Sequence, residues 1–412
     1  MSAASQTQGG DTSINDMSTS GVSVLSPSQV IDSLEKAVEN AKIRGDLKSY
    51  ESFVEDVVDA GIKYQIRLCP ALAQKHKERA PTPNIAPDAS NITAVVQTIT
   101  QTDPFLPPFN SLHIGEMRDV LEEDSVEGYN VLLNKFALVK GHFLLVTKEY
   151  ESQAHPLTPS QLVQTYLLLL AAHTRNRPFF AFFNCGILSG ASQPHKHIQF
   201  FPGQAPIERL AKAAKVENEG MSLAHLLFLN SHSRRISSDW TRMSFLLLKP
   251  FVDGSSTAES SDEAREAVDR LSAELAMSFM AILDEMYQTI RVHAHHSTTD
   301  TNSSAGNGAN LEVASAFEGG GPSTPSYNVV MTLEHIYLFP RTAEKYTPTS
   351  SSSNLTLSIN SLGFAGMLLV KSEEERALVK EIGITSILRR VGMEPLKEED
   401  NKGCDDVFAD LA

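Results

Sequence analysis

Cysteine, net positive charge and long apolar runs are all scarce in this chain. Its 412 residues include three cysteines, Cys69, Cys185 and Cys404, too few and too scattered for a disulfide framework or a cysteine-based zinc site. We therefore expect a reducing compartment and predict the cytoplasm, with the nucleus left open as a second location. Lysine and arginine total 35 against 50 aspartates and glutamates, a formal charge of -15. Because nucleic acids and anionic membranes bind basic surfaces, we expect neither as a partner.

The hydropathy pattern offers no membrane span and no secretory signal. The longest apolar run, residues 166–172, is far shorter than the roughly 20 residues that a transmembrane helix needs. The chain begins MSAASQTQGGDTSINDMSTSG, which lacks a basic start and an apolar stretch, so we expect no secretory signal there. The Ser, Thr, Gly and Gln content of this segment predicts a disordered tail over residues 1–26.

Helical and strand-like patterns mix along the rest of the chain without regular alternation. Helical spacing is found in residues 30–60, 160–174, 207–214, 223–229 and 264–293, and a last helix begins at 374. Apolar runs of strand length occupy residues 65–75, 129–136, 142–147, 179–183, 195–201, 244–250, 327–332, 336–339, 355–360 and 364–370. Ser160 is the predicted N-cap of the second helix. This mixture predicts an α+β fold with a largely antiparallel sheet flanked by helices.

Residues 184–201, NCGILSGASQPHKHIQFF, carry the pattern richest in chemistry. In an extended strand, side chains alternate between faces, so His195, His197 and Gln199 are predicted to line one face. The small-residue loop 189–193 just before them can direct backbone N–H groups at phosphate oxygens. A neutral imidazole is a competent nucleophile at pH 7, because the unperturbed pKa of histidine is about 6.5. An imidazole facing a phosphate-binding loop therefore predicts nucleophilic attack on phosphorus.

Other interpretations of the two histidines stay open from the residues alone. The HKH segment is also compatible with an ordinary polar strip on a strand. A zinc site would need further ligands, which Cys185 or His142 could supply, although Gln199 is a poor zinc ligand. A second HxH at residues 293–296 ends a predicted helix and runs into a low-complexity stretch, so we interpret it as a solvated helix end.

The segment SGASQPHKHIQ strongly resembles the active-site segment of fungal diadenosine tetraphosphate phosphorylases, also called ATP adenylyltransferases. That family belongs to the histidine-triad superfamily, on the branch shared with galactose-1-phosphate uridylyltransferase. The stretch LLNKFALVKGHFLLVTKEYESQAHPLTPSQL resembles the N-terminal part of the family, and SYNVVMTLEHIYLFPR with SINSLGFAGMLLVK resembles the C-terminal part. The resemblance covers most of the chain from about residue 65 to residue 371, with the Ser-rich stretches and the first residues outside it. The resemblance implies a histidine-triad/uridylyltransferase-like fold.

The resemblance also implies roles for individual residues. His197 matches the nucleophile that carries the nucleotidyl group, Gln199 matches the glutamine that hydrogen-bonds the phosphoryl oxygens, and His195 supports the catalytic site. His142 resembles the first histidine motif of the wider superfamily, with an ordinary polar strand residue as the alternative. His335 departs from the tryptophan of some relatives. Substrate contacts are implied for Lys75, Asn134, Lys135, Asn184, Gly190, Ala191, Ser192, Gln193, Asn328, Thr332 and Arg341.

The activity implied by the resemblance is phosphorolysis of diadenosine tetraphosphate (Ap4A) to ATP and ADP, through a covalent adenylyl-His197 intermediate. Lys75, Lys135 and Arg341 are candidates to offset the polyphosphate charge. We expect small-molecule nucleotides and inorganic phosphate as partners, Mg²⁺ carried with the polyphosphate, no organic cofactor, no metal held by the protein, and a monomer.

Two alternative functions come from other classes. A hexose-1-phosphate uridylyltransferase would favour HPH over the HKH of this chain. A catalytically silent nucleotide-binding module is disfavoured because His197 and Gln199 are both present.

Residues 27–396 are predicted to form a single catalytic unit. Two polar, Ser-rich stretches, at about 253–262 and 297–326, are expected to be insertions, because long structureless loops are uncommon inside compact domains. Residues 397–412 are predicted to be an acidic tail.

Overall fold

A computed structural model describes residues 24–60, 62–71, 103–121, 128–213, 232–236, 238–255, 262–299, 325–348 and 355–393. The helices are α1 (Pro27–Ile43), α2 (Pro159–Thr174), α3 (Pro206–Ala213), α4 (Ser238–Asp253), α5 (Asp262–Thr299), α6 (Ser361–Phe364), α7 (Glu373–Ile382) and α8 (Ile384–Val391). The strands are β1 (Lys48–Ser49), β2 (Phe53–Asp59), β3 (Ile62–Leu68), β4 (His113–Arg118), β5 (Gly128–Leu133), β6 (Phe136–Ala137), β7 (Phe143–Thr147), β8 (Phe179–Cys185), β9 (His197–Pro202), β10 (His232–Arg235), β11 (Tyr327–Met331), β12 (His335–Pro340), β13 (Lys345–Tyr346), β14 (Leu357–Ser358) and β15 (Met367–Val370).

One large antiparallel sheet lies at the centre of the fold. Its eight strands are ordered β10-β12-β11-β8-β9-β7-β5-β4. Every neighbouring pair is antiparallel, with Val146 opposite His197 between β7 and β9, and Asn184 opposite Asn328 between β8 and β11. The predicted α+β fold with a largely antiparallel sheet is confirmed.

The two faces of this sheet bury different side chains. On one face, Ile198 and Phe200 of β9 belong to the main core, which also contains residues of α1, α2, α4 and α5. On the other face, Phe201 belongs to a second core with residues of β3, β15, α6, α7 and α8. Because side chains alternate along a strand, His197 and Gln199 lie on the second face with Phe201. The predicted placement of these two polar residues on one face therefore holds.

The second face is covered on both sides of the histidines. To one side lies the second core, under a three-stranded sheet of order β15-β3-β2 in which β15 and β3 are parallel. To the other side lies a small cluster formed by Phe105, Leu132, Leu144 and Val146. His197 and Gln199 of β9 thus lie between two apolar clusters.

For two segments, the predicted type of secondary structure is wrong. The helical spacing over residues 30–60 holds only as far as Ile43, and the segment FVEDVVD forms strand β2. Its valines are β-branched, which favours a strand, and β2 pairs with β3 along its whole length. Residues 244–250 were expected to form a strand but lie in α4, where Leu248, Phe251 and Val252 enter the main core at helical spacing. A short apolar run does not by itself distinguish a strand from a buried helix.

The helix starts also differ from prediction. Thr158, not Ser160, is the N-cap of α2, and its side chain and that of Gln161 form a reciprocal capping box. Ser160 instead donates a short hydrogen bond to Asp119. Residues 1–23 of the predicted tail lie outside the described residues, whereas Leu25 donates its N–H to the Glu116 carbonyl oxygen at 2.7 Å and Ser26 caps α1.

Several predictions fall wholly or largely outside the described residues: the helix at 223–229, most of both Ser-rich insertions and the acidic tail. The described part of the second insertion begins in α5, which continues to Thr299. In the part of the chain that the structure describes, no helix combines the length and apolar character needed to cross a bilayer.

Candidate active site

The imidazole of His197 is buried at the start of β9, and its hydrogen bond defines its tautomer. The Nδ1 atom lies 2.8 Å from the backbone carbonyl oxygen of His195. A carbonyl oxygen can only accept, so Nδ1 carries the proton and donates it. In the neutral ring the lone pair is therefore on Nε2, which is the form required for nucleophilic attack.

The side chain of His195 is completely buried and lies just before β9 rather than within it. Its Nδ1 atom is 2.8 Å from a carboxylate oxygen of Asp103, whose side chain is 3% exposed. Its Nε2 atom lies 3.0 Å from the Thr147 hydroxyl and 3.1 Å from the Glu149 carbonyl oxygen. The His195 ring is therefore held in place by buried contacts on both of its nitrogens. Sequence reasoning missed Asp103, which is 92 residues away in the chain and belongs to no motif.

Gln199, His142 and Asn134 come together next to the nucleophile. The Gln199 carbonyl oxygen Oε1 is 3.1 Å from His142 Nε2, and the Asn134 amide nitrogen is 3.3 Å from the same ring atom. The His142 ring also packs edge-on against Phe201 with centroids 5.4 Å apart. These contacts favour His142 as a member of the site over the alternative of an ordinary polar strand residue.

The loop before β9 has the tight geometry that glycine allows. Gly190 has φ +78°, and a Cβ atom there would lie 2.6 Å from the carbonyl oxygen of Ile359. The Ser189 hydroxyl donates to the Gly186 carbonyl oxygen at 2.6 Å. The described part of the chain provides no acceptor for the amides of Gly190, Ala191 and Gln193. These amides are therefore available to an anion, as the phosphate-loop hypothesis requires.

Asn184, Asn328 and Arg341, for which substrate contacts are predicted, form a buried network that contacts this loop. The Asn328 amide donates to Asn184 Oδ1 at 2.8 Å and to the Ser189 carbonyl oxygen at 2.9 Å. Arg341 donates to Asn328 Oδ1 at 2.5 Å and to the Ser189 carbonyl oxygen at 3.2 Å. Asn184 Oδ1 also accepts from the Ser361 hydroxyl at 2.7 Å. These contacts hold the loop in place.

The guanidinium group of Arg341 is fully engaged within the protein. Its remaining N–H groups donate to the backbone carbonyl oxygens of Ile359, Val391, Ala343 and Glu344. Burial lowers the pKa of Arg341 to about 9. With its donors directed at protein oxygens, Arg341 is not placed to offset the charge of a polyphosphate directly.

Thr332 lies at the other end of β11 from Asn328, about 14 Å further along the strand at roughly 3.4 Å per residue. Its hydroxyl donates to Glu208 at 2.5 Å, and His335 Nδ1 and the Tyr337 hydroxyl donate to the same carboxylate at 3.1 and 2.9 Å. Burial acts to raise the pKa of Glu208, but these hydrogen bonds and the His335 charge outweigh it, and the pKa is lowered. Thr332 is thus part of a carboxylate cluster, away from the glycine loop.

The charge predicted for the site is distributed differently in the structure. Lys75 is outside the described residues. Lys135 is exposed, with its Nζ 5.7 Å from the centroid of the Phe136 ring. Arg67, which sequence reasoning missed, is half-buried in β3 with its guanidinium 5.6 Å from the centroid of the Phe201 ring. The sequence feature that could have identified Arg67 is its charge within the otherwise largely apolar segment YQIRLC.

Arg67 has the character of an anion ligand. Its buried Nε atom has no hydrogen-bond partner among the described residues, and burial lowers the pKa of the guanidinium. The Phe201 ring beneath it also contacts His142, which in turn meets Gln199. An incompletely hydrogen-bonded, half-buried cation is costly unless a ligand supplies the missing acceptor.

The geometry does not support a zinc site built on His195 and His197 with Cys185 as a further ligand. Cys185 belongs to the main core on the opposite face of the sheet from His197, and burial raises the pKa of its thiol to about 11. Across the described residues, the single group of three side chains with metal-binding geometry is Glu208, Glu334 and His335. The Glu208 carboxylate in that group is already stabilised by three protein donors.

Two family models match most of this chain. Residues 20–216 match the Ap4A phosphorylase N-terminal domain, and residues 254–394 match the ATP adenylyltransferase C-terminal domain. The chain belongs to the Ap4A phosphorylase family. It is therefore a nucleotidyltransferase, and both matched domains favour adenylyl transfer over the hexose-1-phosphate alternative.

Relatives of this Ap4A phosphorylase family member are found in Saccharomyces cerevisiae. Diadenosine 5',5'''-P1,P4-tetraphosphate phosphorylase 2 is 29% identical over 294 residues, which cover 66% of this chain and 70% of the relative. Protein APA1 is 27% identical over 257 residues, covering 62% of this chain and 65% of that protein.

Solved structures of the yeast Ap4A phosphorylase Apa2 share the fold. One has a TM-score of 0.57 at 22% identity and covers 92% of this chain and 97% of Apa2. The structure of Apa2 in complex with Ap4A has a TM-score of 0.53 at 21% identity, covering 88% and 98% of the two chains.

Proposed function

We propose that this protein catalyses the phosphorolysis of Ap4A to ATP and ADP, and the reverse reaction, through an adenylyl group carried on His197. The observation that carries the proposal is the hydrogen bond from His197 Nδ1 to the His195 carbonyl oxygen, 2.8 Å long. It leaves Nε2 as the nucleophilic atom of the neutral ring. The family to which the chain belongs supports Ap4A as the substrate.

The reaction proceeds in two displacements. In the first, the Nε2 lone pair attacks the α-phosphorus of Ap4A, the bond to the bridging oxygen breaks, and ATP leaves with that bonding pair. In the second, an oxygen of inorganic phosphate attacks the same phosphorus, the N–P bond breaks, and ADP is released. The bonding pair returns to Nε2, so the enzyme is regenerated without a net proton change on His197.

The glycine loop and Gln199 stabilise the charge that develops on the phosphoryl oxygens. The amides of Gly190, Ala191 and Gln193 supply fixed donors, and the Gln199 amide adds another. Gln199 cannot exchange a proton near pH 7, so it does not activate water. Because an anion such as phosphate attacks without a general base, this arrangement favours transfer to phosphate over hydrolysis.

The positive charge near the polyphosphate is supplied by Arg67 and Lys75, with Mg²⁺ arriving on the substrate. The Asp103 carboxylate is engaged by His195 and is therefore a poor candidate to hold a resident cation at the histidines. Mg²⁺ bound to the polyphosphate would neutralise charge on the leaving nucleotide. We further propose that the enzyme acts as a monomer in the cytoplasm.

Product analysis at graded phosphate concentrations tests this function. With phosphate present, Ap4A should give equal amounts of ATP and ADP, and mixing ATP with ADP should yield Ap4A and phosphate. Without phosphate, turnover should stop after one adenylyl group per active site. Equal rates without phosphate, with AMP as a product, would identify a hydrolase and contradict the proposal.

The same assay separates the two alternatives. A silent nucleotide-binding module would bind Ap4A without releasing any nucleotide. A hexose-1-phosphate uridylyltransferase would exchange uridylyl groups between UDP-hexose and hexose 1-phosphate and leave Ap4A unchanged.

A further inference from the structure

The β8–β9 ladder stops next to the nucleophile. Backbone pairing between these strands runs from Phe179 opposite Pro202 to Phe182 opposite Gln199 and goes no further. On its other edge β9 stays paired as far as Val146 opposite His197. A gap therefore opens between His197 and the end of β8, at the point where the chain leaves β8 for the glycine loop.

The side chain of Gln153 fills this gap. Its Oε1 atom accepts the His197 N–H at 2.8 Å. Its Nε2 atom donates to the carbonyl oxygen of Asn184 at 2.8 Å and to that of His197 at 3.3 Å. The carboxamide thus takes the place of a missing peptide group between the strands. Its orientation is unambiguous, because an N–H can only donate and a carbonyl oxygen can only accept.

Gln153 belongs to a segment, residues 149–156, that follows the catalytic histidines closely. The Glu149 carbonyl oxygen faces His195 Nε2, and the Glu151 carbonyl oxygen accepts the Lys196 N–H at 2.8 Å. The backbone N–H of Gln153 donates to the Pro194 carbonyl oxygen at 2.8 Å. Within this segment, the Gln153 side chain is the group that holds the backbone of the nucleophile itself.

We propose that Gln153 is a positioning residue for adenylyl transfer, which fixes the backbone of His197 relative to Asn184 at the entrance of the glycine loop. This inference rests on the proposed function and deepens it. The side chain is 4% exposed and directs its polar atoms at backbone groups. Its loss should therefore slow attack by His197 more than it weakens nucleotide binding. Misplacing a reacting group by about 1 Å can cost on the order of 100-fold in rate.

The substitution Gln153→Glu gives a reversible test. When protonated, the new carboxyl can accept from the His197 N–H and donate to the Asn184 carbonyl oxygen, as glutamine does. When ionised, it places a negative oxygen against two carbonyl oxygens, which disrupts the arrangement. Its defect should therefore depend on pH, whereas Gln153→Met, of similar volume, should show a defect that does not.

The measurement is the single-turnover rate of adenylyl-His197 formation from Ap4A, with each variant normalised to the unmodified protein at the same pH. We expect Gln153→Glu to lose about 100-fold near pH 8 and to recover most of that loss as the pH falls to about 5.5. Gln153→Met should lose about as much at every pH. The Kd for Ap4A should change less than about threefold in both variants.

Gln164→Glu is the matched control, because it places the same change at a buried glutamine of α2. Gln164 is 2% exposed and its amide is directed at the Met117 sulfur, away from His197. Its normalised rate should be unchanged at every pH at which it remains folded by circular dichroism.

Three outcomes would overturn the inference: a wild-type rate in Gln153→Met, a pH-independent defect in Gln153→Glu, or a loss confined to Kd. If Gln153→Glu does not fold, the division of the Gln153→Met defect between rate and Kd decides. Failure of the unmodified protein to form any adenylyl-histidine would instead contradict the proposed function, and the inference with it.

Discussion

His197 Nδ1 donates its proton to the carbonyl oxygen of His195, two residues earlier in the chain, at 2.8 Å. The tautomer of the nucleophile is therefore set by the backbone of the HKH segment and not by another side chain. The imidazole of His195 has a separate task, since its Nδ1 atom meets the buried carboxylate of Asp103. The two histidines of the motif thus contribute through different atoms, and their substitutions should have different effects.

Replacing the nucleophile should remove activity and spare the fold. We expect His197→Ala to lower kcat by several orders of magnitude, because the covalent route is lost. Thermal unfolding should remain cooperative. The assay is ATP release from Ap4A with saturating phosphate, and near-normal turnover in folded His197→Ala would contradict the assignment.

Replacing His195 should act mainly on stability. His195→Ala leaves Asp103 Oδ2 without its partner while Oδ1 still accepts the Phe105 N–H, and the loss of a hydrogen bond to a charged group typically costs about 1.5–3 kcal/mol. Adding Asp103→Asn should restore part of that loss, which urea unfolding of the single and double variants would measure. An inert but folded His195→Ala protein, together with nearly normal turnover in His197→Ala, would reverse the roles of the two histidines.

Removing the charge of Arg67 should weaken substrate binding without lowering the stability of the ligand-free protein. Arg67→Met removes a half-buried cation whose Nε lacks a partner, so the ligand-free protein should be as stable as before or more stable. The KM for Ap4A should rise roughly 10- to 100-fold, since hydrogen bonds to charged groups contribute about 1.5–3 kcal/mol. Arg67→Lys should recover part of the affinity. Arg44→Met, at an exposed helix end, is the control, and an unchanged KM in Arg67→Met would exclude Arg67 as an anion ligand.

The shared face of His197 and Gln199 could be predicted because side-chain alternation along a strand depends only on local sequence. Residues of β9 two apart share a face, so the placement of His197 with Gln199 followed directly from the sequence. Asp103 could not be found this way, because it meets His195 only through the fold. The hydrogen bonds of Asn328 and Arg341 to the Ser189 carbonyl oxygen could not be found this way either, because they join segments that are far apart in the sequence.

The errors in the fold have a similar origin. Residues 53–59 and 244–250 are each only seven residues long, too short for periodicity alone to decide between helix and strand, so their type depends on tertiary partners. Pairing with β3 makes the first a strand, and packing into the main core makes the second a helix. By contrast, β5, β7 and β8 were predicted well because their runs are mostly apolar, of strand length and almost entirely buried.

Glu208 should make stability depend on pH in a defined direction. Its folded-state pKa is lowered from the ordinary value of 4.5, despite burial, by hydrogen bonds from His335, Thr332 and Tyr337. A lowered pKa stabilises the fold above the unfolded-state value, and that stability is lost as the pH falls through the folded-state value. Glu208→Gln should therefore cost about 2 kcal/mol of unfolding free energy at pH 7, and the difference from the unmodified protein should shrink below pH 4.5. A difference that stays constant with pH, measured by urea unfolding, would contradict this assignment.

The stereochemistry at phosphorus distinguishes two displacements from one. Each in-line attack inverts the configuration, so attack by His197 and then by phosphate should give overall retention. A chiral phosphorothioate analogue of Ap4A, with the product configuration determined by NMR, reports the result. Net inversion would mean that phosphate attacks directly, without the histidine intermediate.

Trapping the intermediate tests the central claim most directly. The protein is mixed with Ap4A in phosphate-free buffer, quenched under conditions that preserve phosphoramidate bonds, digested and analysed by mass spectrometry. We predict one adenylyl group on His197, with one ATP released per site, and its conversion to ADP when phosphate is added before the quench. An unmodified His197 peptide after ATP release, or an adenylyl group that phosphate does not remove, would contradict the account.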